Sequence, residues 1–308
     1  MKKILSLLII ATVIFSMGTV AYATSIPEKP YDNSKFFTYG DYTLHYRVYD
    51  GNPADDKQIL LVHGFCLSTA SLEGMAEEYM KAGYDIVIVD APNFGYSSRE
   101  TTNIKLLDRE EVIHALMTQI GGKWIVGGHS MGGGIAINIA TDYSEDVSGL
   151  ELYAPQTNTA PTPIMAKLSA SFIMRNAMNM ILWFALRMPA LVRLLVEMSF
   201  SDKDFAKNYD LDRITAPLSV DGTGAGISIM SSHTRNSDFE ALSKLNIPCV
   251  IFTATEDKVA VAENLQTIID HAPKGTAVYN FDKGGHMMME YSPEKVAELS
   301  LPIMAECR

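Results

Sequence analysis

Cysteine is scarce in this chain: three in 308 residues, Cys66, Cys249 and Cys307, odd in number and far apart. That excludes a disulfide framework and leaves room for a single bridge at most. Basic residues are also short, 25 Lys and Arg against 36 Asp and Glu for a net charge of −11, so no cationic surplus exists to displace counterions from nucleic acid. Nucleic acid is therefore not an expected partner. Internal repeats and low-complexity tracts are missing, and the length allows one large α/β domain or two smaller ones with ample material for a buried core. Beyond the N-terminus, the uncharged stretch Asn176 to Leu186 is too short to cross a bilayer, although an interfacial helix touching lipid needs no more.

The start of the chain is the exception. Met1-Lys2-Lys3 leads into the uncharged run Ile4 to Ala23, which ends in Ala21-Tyr22-Ala23. A basic start, an apolar middle and a small-x-small end are the marks of a secretory signal peptide, so residues 1–23 are expected to be removed and the mature chain to begin near Thr24, outside the cytoplasm. The alternative is an uncleaved anchor, since a bilayer needs about 20 apolar residues and this run supplies them.

What is present centres on Gly127-Gly128-His129-Ser130-Met131-Gly132-Gly133-Gly134. The apolar run Lys123 to Val126 feeds into G-x-S-x-G, and the apolar run Ile135 to Ala140 leaves it, the strand-turn-helix context in which a serine sits on a sharp elbow. Side chains at Gly128 and Gly132 would collide where strand and helix cross. Ser130 is thus a candidate nucleophile, and the turn sets the Met131 amide beside it at a helix N-terminus, where an oxyanion can be received.

Around this stretch the chain alternates strands and helices. Phe37 to Asp50 has a hairpin's alternation with Gly40-Asp41 as its turn, and Gln58 to Val62, Asp85 to Val89 and Val147 to Tyr153 are apolar runs of the kind that lie in a parallel sheet covered on both faces. Leu72 to Ala82 and Asp108 to Ile120 are expected helices, the second capped by Asp108. From Gln156 to Asn236 the rhythm breaks into helical runs, Ile164 to Arg187 and Ala190 to Met198 among them, with no clear strand. Core pattern then resumes with Phe239 to Leu245, Pro248 to Phe252, Val261 to His271, Thr276 to Phe281 and Pro293 to Ala305. The expected domains are a leader at 1–23, a core in two parts at 24–155 and 237–308, and a helical cap at 156–236. Within the cap, Asp221-Gly222-Thr223-Gly224-Ala225-Gly226 has neither the preceding strand nor the following lysine of a phosphate loop, and is expected to be a flexible hinge.

Five motifs occur in one order: His63-Gly64-Phe65, Asp90-Ala91-Pro92-Asn93-Phe94-Gly95-Tyr96-Ser97, Gly128 to Gly133, Thr255-Glu256-Asp257-Lys258-Val259 and Gly284-Gly285-His286. Ester hydrolysis needs a nucleophile, a base, a group that orients the base, and oxyanion donors. Ser130, an acid at Asp257 or Glu256, and His286 each follow an expected strand. From Phe37 to Ala305 the chain resembles the α/β-hydrolase superfamily, and its lidded lipase and esterase branch in particular. That resemblance implies an α/β fold with a mostly parallel sheet and a helical cap, and a catalytic triad of Ser130, Asp257 and His286. It implies backbone oxyanion donors at Phe65 and Met131, packing or loop-orienting roles for His129 and His63, a bracing role for Asp90, and no metal or organic cofactor. Cys66 is expected near the pocket without a catalytic role, and Cys249 in the core. The expected substrate is a small-molecule carboxylic ester such as a monoacylglycerol or lysophospholipid; C–C bond, thioester or peptide hydrolysis, acyl transfer, or ligand capture without turnover are the alternatives. Met174, Met178, Ile181, Leu182 and Trp183 form an apolar patch in the cap that is expected either to bind the acyl chain, because thioethers adapt to chains of no fixed shape, or simply to pack the cap against itself and the core. Contact with a lipid surface would run through this cap or an uncleaved N-terminus.

Overall fold

The computed structural model describes residues 24–51, 57–100, 108–157 and 159–307. The expected leader and its cleavage site lie outside the described residues. Strands β1 (Ser34–Tyr39) and β2 (Tyr42–Tyr49) form the expected hairpin, turning at Gly40-Asp41 with Tyr39 opposite Tyr42. Then come β3 (Gln58–Val62), helix α1 (Glu73–Lys81), β4 (Asp85–Val89), α2 (Arg109–Ile120), β5 (Trp124–His129), α3 (Met131–Asp142) and β6 (Val147–Tyr153). Asp108 caps α2 by accepting a hydrogen bond from the Glu111 amide at 3.0 Å, satisfying one of the donors that a helix start leaves free.

An all-helical insertion follows, where the cap is expected: α4 (Pro163–Ser169), α5 (Phe172–Leu186), α6 (Pro189–Phe200), α7 (Lys203–Asn208), α8 (Asp212–Leu218) and α9 (Thr223–Met230). The core resumes with α10 (Phe239–Lys244), β7 (Cys249–Ala254), α11 (Ala262–Asp270), β8 (Ala277–Phe281), α12 (Met288–Tyr291) and α13 (Pro293–Met304). The sheet has eight strands in the order β1-β2-β4-β3-β5-β6-β7-β8. From β4 to β8 every pairing is parallel, and β2 meets β4 antiparallel.

The unbroken apolar strands divide by alternation between two faces. Leu60, Val62, Val87, Val89 and Val126 point to one face and pack with Val112, Leu116, Ile135 and Ile139 of α2 and α3. Ile59, Leu61, Ile86, Ile88 and Ile125 point to the other and meet Met75 and Tyr79 of α1 and Val296 of α13. Complete burial of one such side chain stabilises the fold by roughly 1.5–3 kcal/mol, so the sheet is a rigid platform. Parallel strands covered on both faces leave the loops at their C-terminal ends as the place for chemistry.

Two details of this helical insertion depart from the sequence reading. The run Ile164 to Arg187 is two helices, because Ser171 accepts from the Met174 amide at 3.2 Å and starts a new helix there. The glycine-rich stretch is not a flexible hinge but the buried start of α9: a Cβ on Gly224 would lie 2.5 Å from the Asn179 backbone nitrogen of α5. Its glycines permit close helix contact, with Asn179 Oδ1 accepting from the Ala225 amide at 2.8 Å. Among the described residues no single helix is long and apolar enough to cross a membrane, although α5 and α6 together have the composition and meet at 90°. All three cysteines are free, and Cys249 is buried.

Candidate active site

Ser130 stands between β5 and α3 with φ 51° and ψ −117°. A positive φ on a non-glycine residue is strained and persists only where the surroundings hold it. A Cβ on Gly128 would fall 2.1 Å from the Gly132 carbonyl oxygen, and one on Gly132 would fall 2.2 Å from that of Val62. The glycines of the motif therefore let α3 cross β5 and β3 closely, which lifts Ser130 above the sheet edge. Its carbonyl accepts from the amides of Gly133 at 2.9 Å and Gln156 at 3.0 Å.

Asp257 lies in the loop after β7. Its Oδ1 accepts from the amides of Val259 at 2.8 Å and Ala260 at 2.9 Å, while its Oδ2 accepts from His286 Nδ1 at 2.8 Å. Burial alone would raise the carboxyl pKa, but the His286 hydrogen bond and charge and the two amides outweigh it and hold the carboxyl below its ordinary range. Asp257 is thus an acceptor, which puts the proton of a neutral His286 on Nδ1 and leaves Nε2 with its lone pair. Glu256 is exposed, and its backbone carbonyl accepts from Ser201 Oγ at 2.6 Å.

His286 is 5 % exposed and sits in a short 3-10 turn after β8. His129, the residue before the nucleophile, donates through Nε2 to the His286 carbonyl at 2.9 Å, and the two rings are 4.7 Å apart. Burial, then the neighbouring His286, press the His129 pKa well below normal, so its ring is neutral. The packing residue of the sequence reading therefore also ties down the His286 backbone. His63 braces the loop after β3: its Nδ1 donates to Gly64 O at 2.7 Å and its Nε2 accepts from the Ala91 amide at 3.0 Å.

Ser130 opens into a cleft of about 380 Å³. Phe65, Met131 and Gln156 line it from the core, and Thr159, Met230, Ser231 and Thr234 from the helical insertion. Neither the Phe65 nor the Met131 amide donates to an acceptor among the described residues, and no hydrogen bond joins Ser130 Oγ to His286 Nε2. Such catalytic contacts are commonly long without substrate and tighten when it binds.

The five expected acyl contacts do not line this cleft. Met178 packs on the core cluster that holds Ile227 and Met230. Ile181 is 56 % exposed, Met174 and Leu182 are half-buried, and the Trp183 ring lies 3.8 Å beneath the Arg187 guanidinium. Helix α5 turns its apolar residues toward α9 and solvent, an orientation that no single sequence reveals. Cys66 is likewise not a lining residue, and burial pushes its thiol up to about 12. Gln156 was not flagged by the sequence, yet besides its amide bond to Ser130 O it accepts from the Val261 amide through Oε1 at 3.1 Å, linking the elbow to the acid loop. Its only signal was its place just beyond β6.

A family model described as serine aminopeptidase, S33, matches residues 53–292, which takes in the elbow, Asp257 and His286. This chain belongs to that family, within the α/β-hydrolase superfamily. It is 23 % identical over 281 residues to an uncharacterized hydrolase, YugF, of Bacillus subtilis, covering 85 % of this chain and 94 % of that protein. It is 24 % identical over 253 residues to Lipase 3 of a Moraxella species, covering 75 % and 72 %. The enol-lactonase of Burkholderia xenovorans superposes with a TM-score of 0.70 at 14 % identity, covering 88 % of this chain and all of that one (100 %). The chain is an α/β-hydrolase and a serine hydrolase by family. Among the described residues no cluster of three His, Cys, Asp or Glu could hold a metal.

Proposed function

We propose that this protein is an exported esterase that cleaves small carboxylic esters through Ser130, His286 and Asp257 and an acyl-enzyme. The observation that carries the reading is the 2.8 Å bond from His286 Nδ1 to Asp257 Oδ2 beside a serine held at positive φ. Ser130 Oγ attacks the ester carbonyl carbon and passes its proton to His286 Nε2. Asp257 stabilises the imidazolium, and the free amides of Phe65 and Met131 receive the oxyanion. Collapse expels the alcohol, which takes the proton from His286, and water then repeats the sequence on the acyl-serine.

Family membership also raises aminopeptidase activity as a second reading. An aminopeptidase must hold the substrate's cationic amino group, yet none of the residues lining the cleft carries a carboxylate. That favours a neutral ester. The cleft volume lies near the lower end of the roughly 300–1,000 Å³ usual for small-molecule sites, and Gln156, Thr159, Ser231 and Thr234 make it part polar. Short acyl groups suit it better than long ones.

The test sets 4-nitrophenyl esters of two to twelve carbons beside leucine 4-nitroanilide. Short esters should have the highest kcat/KM, and an anilide turned over faster than every ester would overturn the reading. For export, N-terminal sequencing of secreted protein should begin near Thr24; recovery of the intact Met1 terminus in the membrane fraction would favour the anchor.

A further inference from the structure

A second Ser-His-Asp chain lies outside the site just described. Ser34 Oγ is 2.8 Å from His45 Nε2, and His45 Nδ1 is 2.7 Å from Asp90 Oδ2. His45 and Asp90 are completely buried, whereas Ser34 is partly exposed. Asp90 also accepts from the amides of Thr69 and Tyr96, both at 2.7 Å. Burial pulls its carboxyl up, but the bond from His45 and the nearby ring charges hold it below the ordinary range. As an ionised acceptor it fixes the proton of a neutral His45 on Nδ1, so Nε2 is the acceptor for the Ser34 hydroxyl. The Tyr31 amide donates to the same oxygen at 3.0 Å, leaving the hydroxyl hydrogen for the ring. These are the relations by which a base activates a serine.

The neighbouring surface supplies room and an unused donor. A recess of about 510 Å³ is lined by Lys29, Pro30, Tyr31, Asp32, Asn33 and Arg47. Ser34 follows Asn33 and is the cross-strand partner of Arg47, so it stands at the edge of this recess. Arg47 is 4 % exposed; its Nε donates to Asn33 at 2.8 Å and its Nη2 to Glu73 at 2.6 Å, but Nη1 has no hydrogen-bond partner among the described residues. A buried guanidinium nitrogen without an acceptor has an unmet capacity for an anion.

We infer that Ser34 is a second acyl-accepting serine, activated by His45 and Asp90, and that its recess takes an activated ester whose acyl group carries a carboxylate toward Arg47. Ser34 Oγ bonds to the carbonyl carbon, its proton passes to His45 Nε2, and the carbon–oxygen bond to the leaving alcohol breaks as that alcohol takes the proton. Acyl-Ser34 and free alcohol are the products. Its serine and recess are separate from the cleft at Ser130, although Asp90 also supports the loop that carries Phe65. It lacks a strained elbow, so slow, stoichiometric acylation is the expected behaviour rather than turnover.

The test uses the full chain with Ser130→Ala, so that the main nucleophile is silent. Treated with the mono-4-nitrophenyl ester of glutaric acid, the variant should release nitrophenolate in a burst near one equivalent. A peptide bearing Ser34 should gain the glutaryl mass. 4-Nitrophenyl acetate should acylate it at least fivefold more slowly. The burst should vanish in Ser130→Ala/Ser34→Ala and slow at least tenfold in Ser130→Ala/His45→Gln; the Ser34 change touches a partly exposed hydroxyl, so it tests the site without emptying the core. No adduct on the Ser130→Ala protein, or an adduct that survives Ser34→Ala, would overturn the assignment. Equal rates with the two esters would overturn the anionic preference.

Discussion

The two histidine–aspartate pairs have nearly the same geometry, 2.8 Å in His286–Asp257 and 2.7 Å in His45–Asp90, yet they stand in different settings. At His286 the serine is on a glycine-flanked elbow with positive φ, beside two amides that have no acceptor among the described residues. At His45 the serine opens an ordinary strand, and the aspartate is bound into the loop that supports the oxyanion turn. The difference teaches that a hydrogen-bonded relay is easy to assemble on a sheet, whereas turnover also needs a nucleophile set above the edge and preorganised donors for the oxyanion.

Removing Ser130 should separate the two most. Ser130→Ala is expected to lower steady-state kcat/KM by a thousandfold or more with the melting temperature unchanged, because the triad acts as a unit; retention of a tenth of wild-type turnover would contradict the assignment. Next comes Asp257→Asn, which loses the tautomer control of His286 and is expected to cost about 10³- to 10⁴-fold in kcat. Glu256→Gln should stay within about threefold, and the reverse ranking would move the acid to Glu256.

The buried pair should respond in stability first. Asp90→Asn removes the charge that holds His45 and two amides, and breaking such a buried pair costs about 3–5 kcal/mol, read as the shift in urea midpoint. The folded pKa of Asp90 is depressed, so its contribution is complete above the unfolded carboxyl value of about 4 and is lost as pH falls through the folded value. Acid stability of the wild type below pH 4 should therefore fall away more steeply than that of the variant.

A carboxylate without a histidine gives the control of opposite sign. Glu290, on the segment that follows His286, accepts from Tyr209 of the helical insertion at 2.9 Å and lies 3.4 Å from Arg213. Burial pushes its pKa up to about 7 despite these partners. The folded state then holds a proton that the unfolded chain, with a carboxyl near 4.3, has given up, so stability should decline as pH rises from about 4.3 to about 7. Glu290→Gln should flatten that slope, an effect on the order of 1–3 kcal/mol, measured as urea midpoints between pH 5 and 8.

Much of this site was legible in the sequence because local rules and chemistry coincide there. Glycines at 128 and 132 are needed where two backbones touch, Asp108 caps the helix it precedes, and apolar runs such as Ile59 to Val62 fit only a sheet covered on both faces. The cap was less legible. An apolar stripe on α5 has the same composition whether it faces a substrate, a neighbouring helix or solvent, and Gly222 to Gly226 has the same letters as a hinge and as a tight helix contact. Ser171 divided one expected helix because a single side-chain oxygen satisfied the Met174 amide.

By itself, the sequence determined the strand order of chemistry: a serine on an elbow, an acid after one strand and a histidine after another, all at the same edge because parallel strands end on the same side. It also determined the period-2 burial that makes the sheet rigid. Tertiary structure alone decided that His129 holds the His286 backbone, that Gln156 joins the elbow to the loop after Asp257, and that Met230, Ser231 and Thr234, rather than the methionines of α5, border the cleft. It alone brought Ser34, His45 and Asp90 into one line. Those relations depend on packing between segments distant in the chain, where direction as well as residue type decides what meets.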